Sequence, residues 1–235
     1  AEKEFADLVG GMLYPGSRKK DVVDAHGNIH SVKSGEKKWQ IFLYGRRRFE
    51  ESVGFFGANL FIACIDSFPE RREDYLRDKE TYKQNLERPM RMLKDFLSAK
   101  SEHALHDNKV IFLQEAIFHS SEVDYLAIKD GAEFHIFDAG EVIKVINTAV
   151  VPANSKAAQR DQMDDQKVIF KLADTDTTIG EIEMRNDSPV HYRQVKFWMD
   201  KKKTLDLLKN RIESENRKSS RIIAYGRAAR TFKLE

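Results

Sequence analysis

The chain has 235 residues, of which 33% are charged and 41% hydrophobic, a balance typical of a folded globular protein. Forty Lys and Arg against 38 Asp and Glu leave a net charge of +2, which gives no general attraction to nucleic acid. The single cysteine, Cys64, excludes an internal disulfide framework and a zinc site built from cysteine pairs. No apolar run is long enough to cross a membrane and no signal-peptide pattern opens the chain, so we expect a cytoplasmic protein without a membrane partner.

The first half of the chain predicts helices around one short hairpin. Apolar spacing predicts a helix over 2–13, and β-branched residues on both sides of a glycine turn predict a β-hairpin over 21–33. A second helix is expected over 36–52, and a buried strand over 57–66. The charged region 71–99 carries an irregular apolar stripe and predicts a helix, which the proline inside it kinks or divides.

After residue 109 the sequence becomes rich in short β patterns. Predicted strands cover 110–113, 125–128, 134–137, 142–146, 167–170 and 178–184. We therefore expect an α/β fold, in which helices flank a central mixed β-sheet and residues 109–200 form an extended β-rich half. No linker or composition shift marks a boundary, so residues 1–235 are expected to form a single domain, with the core elements of its candidate catalytic site in 1–65.

The predicted hairpin carries the most informative chemistry of the chain. With a three-residue turn at 26–28, Asp21 lies opposite Lys33, and both side chains reach the same edge of the sheet. Phosphodiester hydrolysis needs a carboxylate that holds Mg²⁺ and a cation near the attacking water and the phosphate. Asp21 and Lys33 supply these two groups, although residues 24–28 also fit a plain surface turn followed by a solvated strand end.

Basic residues concentrate in two segments of the nearly neutral chain. Residues 16–49 hold nine Lys or Arg against three Asp or Glu, and residues 201–235 hold eleven against four. Such a distribution suits a surface that faces phosphates. It is equally typical of ordinary solvated helix faces, so the C-terminal segment alone decides nothing.

Three features of the first fifty residues resemble a known nuclease family. Asp21, followed on the next strand by Ser31-Val-Lys33, resembles the metal site of the PD-(D/E)XK nuclease superfamily. Gln40-x-x-x-Tyr44 is similar to the helical motif of its exonuclease branch. Glu4 resembles the first-helix glutamate that many members place beside the metal. The resemblance covers residues 1–50, and each motif alone is weak.

The resemblance implies metal-assisted hydrolysis with Mg²⁺ as the cofactor. Asp21 and Glu4 would be the metal ligands, and Lys33 would orient or help to deprotonate the attacking water. Gln40 and Tyr44, one helical turn apart in the predicted helix, would contact the metal-bound water or the DNA backbone.

Ser31 departs from the family pattern, which has Glu or Asp at this position. A hydroxyl is a poorer Mg²⁺ ligand than a carboxylate. Three explanations are open: Glu4, or else Glu2, supplies the second carboxylate; Ser31 is a natural or engineered substitution that weakens the site; or Asp24 is the ligand. We favour the first and keep Ser31 among the candidate catalytic residues.

Segment 183–197 concentrates polar side chains around a proline. Its candidate DNA contacts are Arg185, Asn186, Ser188, His191, Tyr192, Arg193 and Lys196. Arg can bond a guanine edge, Asn an adenine edge, and hydroxyls and Lys suit phosphates. The alternative is a strand–turn–helix connection in which Asp187 or Ser188 caps a helix that Pro189 begins.

A chain of this size without a helicase segment resembles the type II restriction endonucleases of this superfamily. That resemblance implies double-stranded DNA as the substrate and a homodimer, because palindromic sites present two symmetric halves. It also implies a prokaryotic cell. One alternative is a repair or recombination nuclease that recognises DNA ends or structure, which Gln40-x-x-x-Tyr44 favours. The other is a DNA-binding protein with a weakened nuclease site, which Ser31 favours.

Overall fold

The computed structural model describes residues 1–16, 20–51, 55–119, 122–156, 165–217 and 221–232, without the side chains at 105 and 214–217. The chain divides into two compact units, each built from separated segments. The first unit comprises 1–39, 113–148 and 200–235, and the second comprises 40–112 and 149–199. Whether the two units fold as a single domain stays a prediction. None of the described helices is long and apolar enough to span a membrane.

Helices and strands are mixed along the described chain, which confirms the predicted α/β class. The helices are α1 (Glu2–Leu8), α2 (Arg46–Glu51), α3 (Ala58–Asp66), α4 (Arg72–Arg77), α5 (Lys79–Ser98), α6 (Asn108–Phe118), α7 (Ala139–Ala149), α8 (Lys201–Arg211) and α9 (Gly226–Thr231), with a 3₁₀ turn at Ala104–His106. The strands are β1 (Met12–Leu13), β2 (Val22–Val23), β3 (Ile29–Lys33), β4 (Lys38–Gly45), β5 (Tyr125–Asp130), β6 (Glu133–Asp138), β7 (Val150–Asn154), β8 (Lys167–Leu172), β9 (Thr178–Arg185), β10 (Gln194–Asp200), β11 (Ser214–Arg217) and β12 (Ile222–Tyr225).

The first unit is built on a mixed sheet with the strand order β1-β2-β3-β5-β6-β12-β11. Strand β3 runs parallel to β5 and β6 runs parallel to β12, whereas the other neighbours are antiparallel. Helices α1 and α9 cover one face, where Phe5 and Phe232 join Val22, Val32 and Ala127 of the strands in one buried apolar cluster. The predicted mixed sheet with flanking helices is therefore present in this unit.

The second unit is built on an antiparallel sheet with the strand order β4-β10-β9-β8-β7. Helix α5 packs against β7, β8 and α3. Phe42, Phe61, Phe112 and Phe197 come from four different elements and meet in the core, with neighbouring ring centroids 5.4 to 6.4 Å apart. Each such aromatic pair adds stability beyond the burial of its surface, so this cluster ties the elements of the unit together.

Four of the predicted strands and the charged helical region are confirmed. The strands expected at 125–128, 134–137, 167–170 and 178–184 lie within β5, β6, β8 and β9. The region 71–99 forms α4 and α5, which Asp78 separates because its side chain caps α5 by accepting a hydrogen bond from the Thr81 amide. Pro89 lies inside α5 and does not divide it.

The helix predicted over 36–52 is wrong, because residues 38–45 form β4 and helix α2 begins only at Arg46. Trp39, Phe42 and Leu43 fit the three- and four-residue spacing of a helix, which is why the pattern was ambiguous. Residues 38–45 form a strand because they pair with β10 and because aromatic residues favour strands. The first helix is also shorter than predicted, since α1 ends at Leu8 and Met12–Leu13 form β1.

The strands predicted at 57–66, 110–113 and 142–146 are wrong, because these residues lie in α3, α6 and α7. Short apolar runs do not distinguish a buried strand from a buried helix. For α7 a capping signal was present: the Asp138 carboxylate accepts a hydrogen bond from the Glu141 amide at 3.1 Å. An acidic residue three positions before Glu is a helix-start signature.

Candidate functional site

The predicted hairpin exists, but its register differs from the prediction. Val22 pairs with His30 and Val23 with Ile29, so Asp21 does not lie opposite Lys33. The Asp21 amide donates to the His30 carbonyl at 2.9 Å, so Asp21 lies beside the Val22–His30 pair. The prediction assumed a three-residue turn, whereas the connection spans 24–28 and shifts the pairing by two residues.

Asp21 nevertheless lies in contact with Ser31 and Lys33, two of the residues that the sequence assigned to its site. Its Oδ2 accepts a hydrogen bond from the Val32 amide at 2.6 Å and from the Ser31 hydroxyl at 3.3 Å. The Lys33 ammonium lies 3.6 Å from the same oxygen, and both side chains are 19% exposed. Among the described residues, Oδ1 of Asp21 has no hydrogen-bond partner, so one carboxylate oxygen is available to a ligand.

Ser31 is fully buried, and its hydroxyl is directed at Asp21. Together with the Val32 amide it holds Oδ2, which fixes the orientation of the carboxylate and leaves Oδ1 free. A small side chain at this position thus positions the acid instead of adding a second acid. Sequence reasoning missed the Val32 amide, because a backbone donor leaves no signal in the residue types.

Asp24, the alternative metal ligand, is engaged in holding the turn. It is 5% exposed, and its carboxylate accepts hydrogen bonds from the His26 amide, from the Asn28 amide and side chain, and from the His30 imidazole. Burial opposes ionisation of Asp24, but the hydrogen bonds from His30 and Asn28 outweigh it and lower the pKa of Asp24 to about 2. Asp24 is therefore a turn anchor whose oxygens are already occupied.

His30 packs inside the first unit, as the alternation of its strand predicts. Its ring lies 5.1 Å from that of Phe5, 5.1 Å from Tyr125 and 5.4 Å from Phe232, measured between centroids. Because side chains alternate along a strand, Ser31 and Lys33 project to the face of the sheet opposite to His30 and Phe5.

Glu4 is not brought to this cluster, which corrects the metal site favoured from the sequence. Helix α1, which carries Glu2 and Glu4, covers the His30 face, across the sheet from Ser31 and Lys33. The Glu4 carboxylate bonds the Lys129 ammonium at 2.5 Å and also the Arg221 guanidinium. Hydrogen bonds from these two cations lower the pKa of Glu4. Glu4 is thus an ion-paired surface carboxylate and not the partner of Asp21.

Gln40 and Tyr44 lie on β4, so they are not one helical turn apart as the sequence predicted. Four residues along a strand separate side chains by about 13 Å on one face. Both residues belong to the second unit. The Tyr44 ring stacks on Phe42 at 4.7 Å between centroids, with the Arg48 guanidinium over it, and Gln40 is exposed.

The polar segment after β9 is a loop between two strands, and no helix follows it. The alternative in which Asp187 or Ser188 caps a helix is therefore wrong. The Arg185 guanidinium forms a bidentate pair with Asp187 at 2.7 and 2.5 Å, and this hydrogen bonding lowers the pKa of Asp187 to about 2. The side chain of Asn186 donates to the Tyr75 hydroxyl at 2.7 Å.

The remaining candidate DNA contacts of this loop also have partners within the second unit. The Tyr192 hydroxyl donates to the Pro69 carbonyl at 2.8 Å, and Arg193 bonds the Ile65 carbonyl and the Asp66 carboxylate. His191 bonds the Gln194 side chain, its amide donates to the Ser188 hydroxyl, and Lys196 lies 3.8 Å from Glu183. These hydrogen bonds and ion pairs thus fix the loop within the second unit.

The cluster of Asp21, Ser31 and Lys33 fits a metal ion only in part. Within the described ranges, no three His, Cys, Asp or Glu side chains are arranged to hold a metal. Mg²⁺, however, often binds through one or two carboxylates together with substrate phosphates and water. Asp21 offers one free carboxylate oxygen, so the cluster suits a metal that arrives with a phosphate group.

Comparison of the chain with known proteins identifies no relative. No family model, curated protein or solved structure matches the chain. The likeness to the PD-(D/E)XK nucleases therefore stays a prediction.

Proposed function

We propose that the protein is a Mg²⁺-dependent endonuclease that hydrolyses phosphodiester bonds of double-stranded DNA, as a homodimeric type II restriction enzyme does. The observation that supports it is the convergence of Asp21, Ser31 and Lys33 at one hairpin, with a carboxylate oxygen left free. A free carboxylate beside an ammonium is a combination that metal-assisted phosphoryl chemistry needs.

The roles follow from the positions of the two side chains. Asp21 would bind the metal through Oδ1, while the Ser31 hydroxyl and the Val32 amide hold its other oxygen in place. Lys33 would orient the attacking water and stabilise negative charge on the phosphate. Bound Mg²⁺ supplies Lewis acidity toward the phosphate and lowers the pKa of the water.

The direct test is incubation of the purified chain with supercoiled plasmid DNA and Mg²⁺. We expect discrete fragments, and we expect chelation of the metal to stop their formation. Asp21→Asn should lower the cleavage rate by about 100-fold or more, because it removes the anionic ligand and keeps the shape of the side chain. Asp7→Asn, an exposed carboxylate on α1, is the matched control and should cleave normally.

Each result separates the proposal from its competitors. Equal cleavage by the wild type and Asp21→Asn would reject this site, and intact plasmid under all conditions would reject the nuclease. Degradation without discrete bands would instead indicate an exonuclease or a structure-directed repair enzyme. That alternative has lost the feature that favoured it, because Gln40 and Tyr44 lie on a strand.

A second candidate function is a DNA-binding protein with a weakened nuclease site. The observation in its favour is that Asp21 brings a single carboxylate to the cluster, while Glu4 pairs with Lys129 and Arg221 on the other face. Plasmid that is bound, as shown by retarded migration in a gel, but never cut would support this candidate.

A further inference from the structure

A groove of about 780 Å³ opens in the second unit between the end of α3 and the middle of α5. The lining residues on which the inference depends are Asp66, Phe68, Tyr82, Asn85, Arg88 and Pro89. A volume of this size is within the range of small-ligand sites. None of the residues that the sequence singled out for chemistry lines this groove, so its role is a separate question.

Tyr82 provides the groove with a supported aromatic surface. Its ring lies 6.4 Å from that of Tyr75, and Tyr75 in turn packs on Phe68 at 5.0 Å between centroids. Tyr75 and Phe68 are buried, so the aromatic neighbour of the Tyr82 ring is itself held in the core. A partly exposed aromatic ring is a surface on which a planar group can stack.

The charge of the groove favours an anion. Arg88 is exposed and forms no ion pair with any described residue. Asp66, the acidic group of the lining, is bonded by Arg46 at 2.5 and 2.7 Å and by Arg193 at 3.2 Å. Because these two guanidinium groups compensate Asp66, Arg88 remains a cation available to a ligand.

Pro89 leaves one carbonyl of the same helix without its usual donor. A proline inside a helix has no N–H, so it does not donate the bond that the carbonyl four residues earlier would accept. That carbonyl belongs to Asn85, whose exposed side-chain amide also lines the groove. The side-chain amide of Asn85 offers both a donor and an acceptor, as the edge of a nucleobase requires.

We infer that this groove binds one unstacked nucleotide of a nucleic acid. The base stacks on Tyr82, its edge bonds Asn85, and the adjoining phosphate pairs with Arg88. The inference goes beyond the proposed cleavage, because binding in the groove needs neither Asp21 nor a metal ion.

The test uses a short single-stranded DNA that contains 2-aminopurine, a base whose fluorescence falls when it stacks on an aromatic ring. The full chain is titrated into this DNA in the presence of EDTA, so that no cleavage interferes. We expect saturable quenching by the wild type, no quenching by Tyr82→Leu, and full quenching by Tyr82→Phe. The phenylalanine variant keeps the ring, so it separates loss of stacking from loss of folding.

Arg88→Gln tests the phosphate contact and should weaken binding by about tenfold, with quenching at saturation retained. Arg91→Gln is the matched control, because Arg91 lies one turn away on α5 and pairs with Glu87 and Asp165. We expect its affinity to equal that of the wild type.

Failure of this inference differs from failure of the proposed function. No binding of the single strand by the wild type, or equal quenching by Tyr82→Leu, would overturn the groove as a nucleotide site. If Arg88→Gln and Arg91→Gln weakened binding of the single strand equally, the proposed contact between Arg88 and the phosphate would be rejected. Quenching that requires Tyr82, in a protein that never cuts plasmid, would support the groove and reject the nuclease.

Discussion

The hairpin of the first unit and the loop after β9 are both rich in polar residues, but the structure uses them in opposite ways. At the hairpin, Asp21 is held through one oxygen, and its other oxygen has no partner among the described residues. In the loop, Arg185 and Arg193 are bonded to carboxylates of the same unit. Polar composition alone did not distinguish the two regions, whereas the partners of each group do. The hairpin is therefore the better candidate for a catalytic site, because one carboxylate oxygen of Asp21 has no partner among the described residues.

The hairpin itself contains the same contrast between its two aspartates. Asp24 is buried and engages its oxygens with the turn and His30, whereas Asp21 is partly exposed beside Lys33. The Asp24 carboxylate stabilises the turn of the hairpin, whereas the Asp21 carboxylate is partly exposed on it. Substitutions at these positions should consequently affect different measurements.

The largest expected effect is on the cleavage rate, and it distinguishes Lys33 from Lys196, two lysines that each lie near a carboxylate. Lys33→Met should lower plasmid cleavage by about 100-fold or more, because it removes the cation beside the proposed metal site. Lys196→Met, which removes the neighbour of Glu183 in the second unit, should change the rate by less than about threefold. Initial rates at fixed salt are the measurement. A strong loss of cleavage rate in Lys196→Met would support the DNA contact that the sequence predicted for Lys196. It would also contradict the contrast between the hairpin and the second unit.

The next effect concerns stability and compares Asp24 with Asp187. Asp24→Ala leaves His30 buried without its partner and should lower the free energy of unfolding by about 3 kcal/mol. Asp187→Ala removes an exposed ion pair and should lower it by less than about 1 kcal/mol. Urea denaturation followed by circular dichroism measures both values. Similar losses in the two variants would show that the hairpin is no better anchored than the loop.

A smaller effect is the pH dependence of the Asp24 contribution. The pKa of Asp24 is about 2 in the folded chain and 3.8 for an unperturbed aspartate, so the unfolded chain binds the proton first as pH falls. The stabilisation is complete above the unfolded value and disappears between about pH 4 and pH 2, which amounts to about 2 kcal/mol. Urea denaturation across this window should show the loss in the wild type. In Asp24→Asn the corresponding loss should be missing, and an identical pH profile would reject the role of this carboxylate.

The hairpin was predictable because its signals are local, and the loop was not because its partners are distant. The β-branched residues around Gly27 predict two strands, and only the length of the turn was misjudged. The loop residues Asn186, Tyr192 and Arg193 find partners more than 100 positions earlier in the chain. One sequence contains no record of such pairings, so their side chains looked free.

The position of Glu4 was unpredictable for a related reason. Its place in the first helix was correct, but the face of the sheet that α1 covers depends on the packing of Phe5 against His30. Local periodicity gives the apolar face of a helix and does not say which side of a sheet receives it. A motif that spans two elements therefore needs the tertiary structure before its residues are joined in one site.

The smallest expected effect is on sequence preference, and it tests the loop directly. Arg185→Gln breaks the bidentate pair with Asp187, so amide hydrogen exchange over 186–193 should become faster. The cut positions on plasmid DNA should stay the same, because a guanidinium that is committed to Asp187 is not available to a guanine edge. Mapping the fragments of wild type and variant on the same plasmid measures this. New or lost cut positions would mean that Arg185 exchanges its carboxylate partner for a base when DNA binds, and the loop would then read sequence after all.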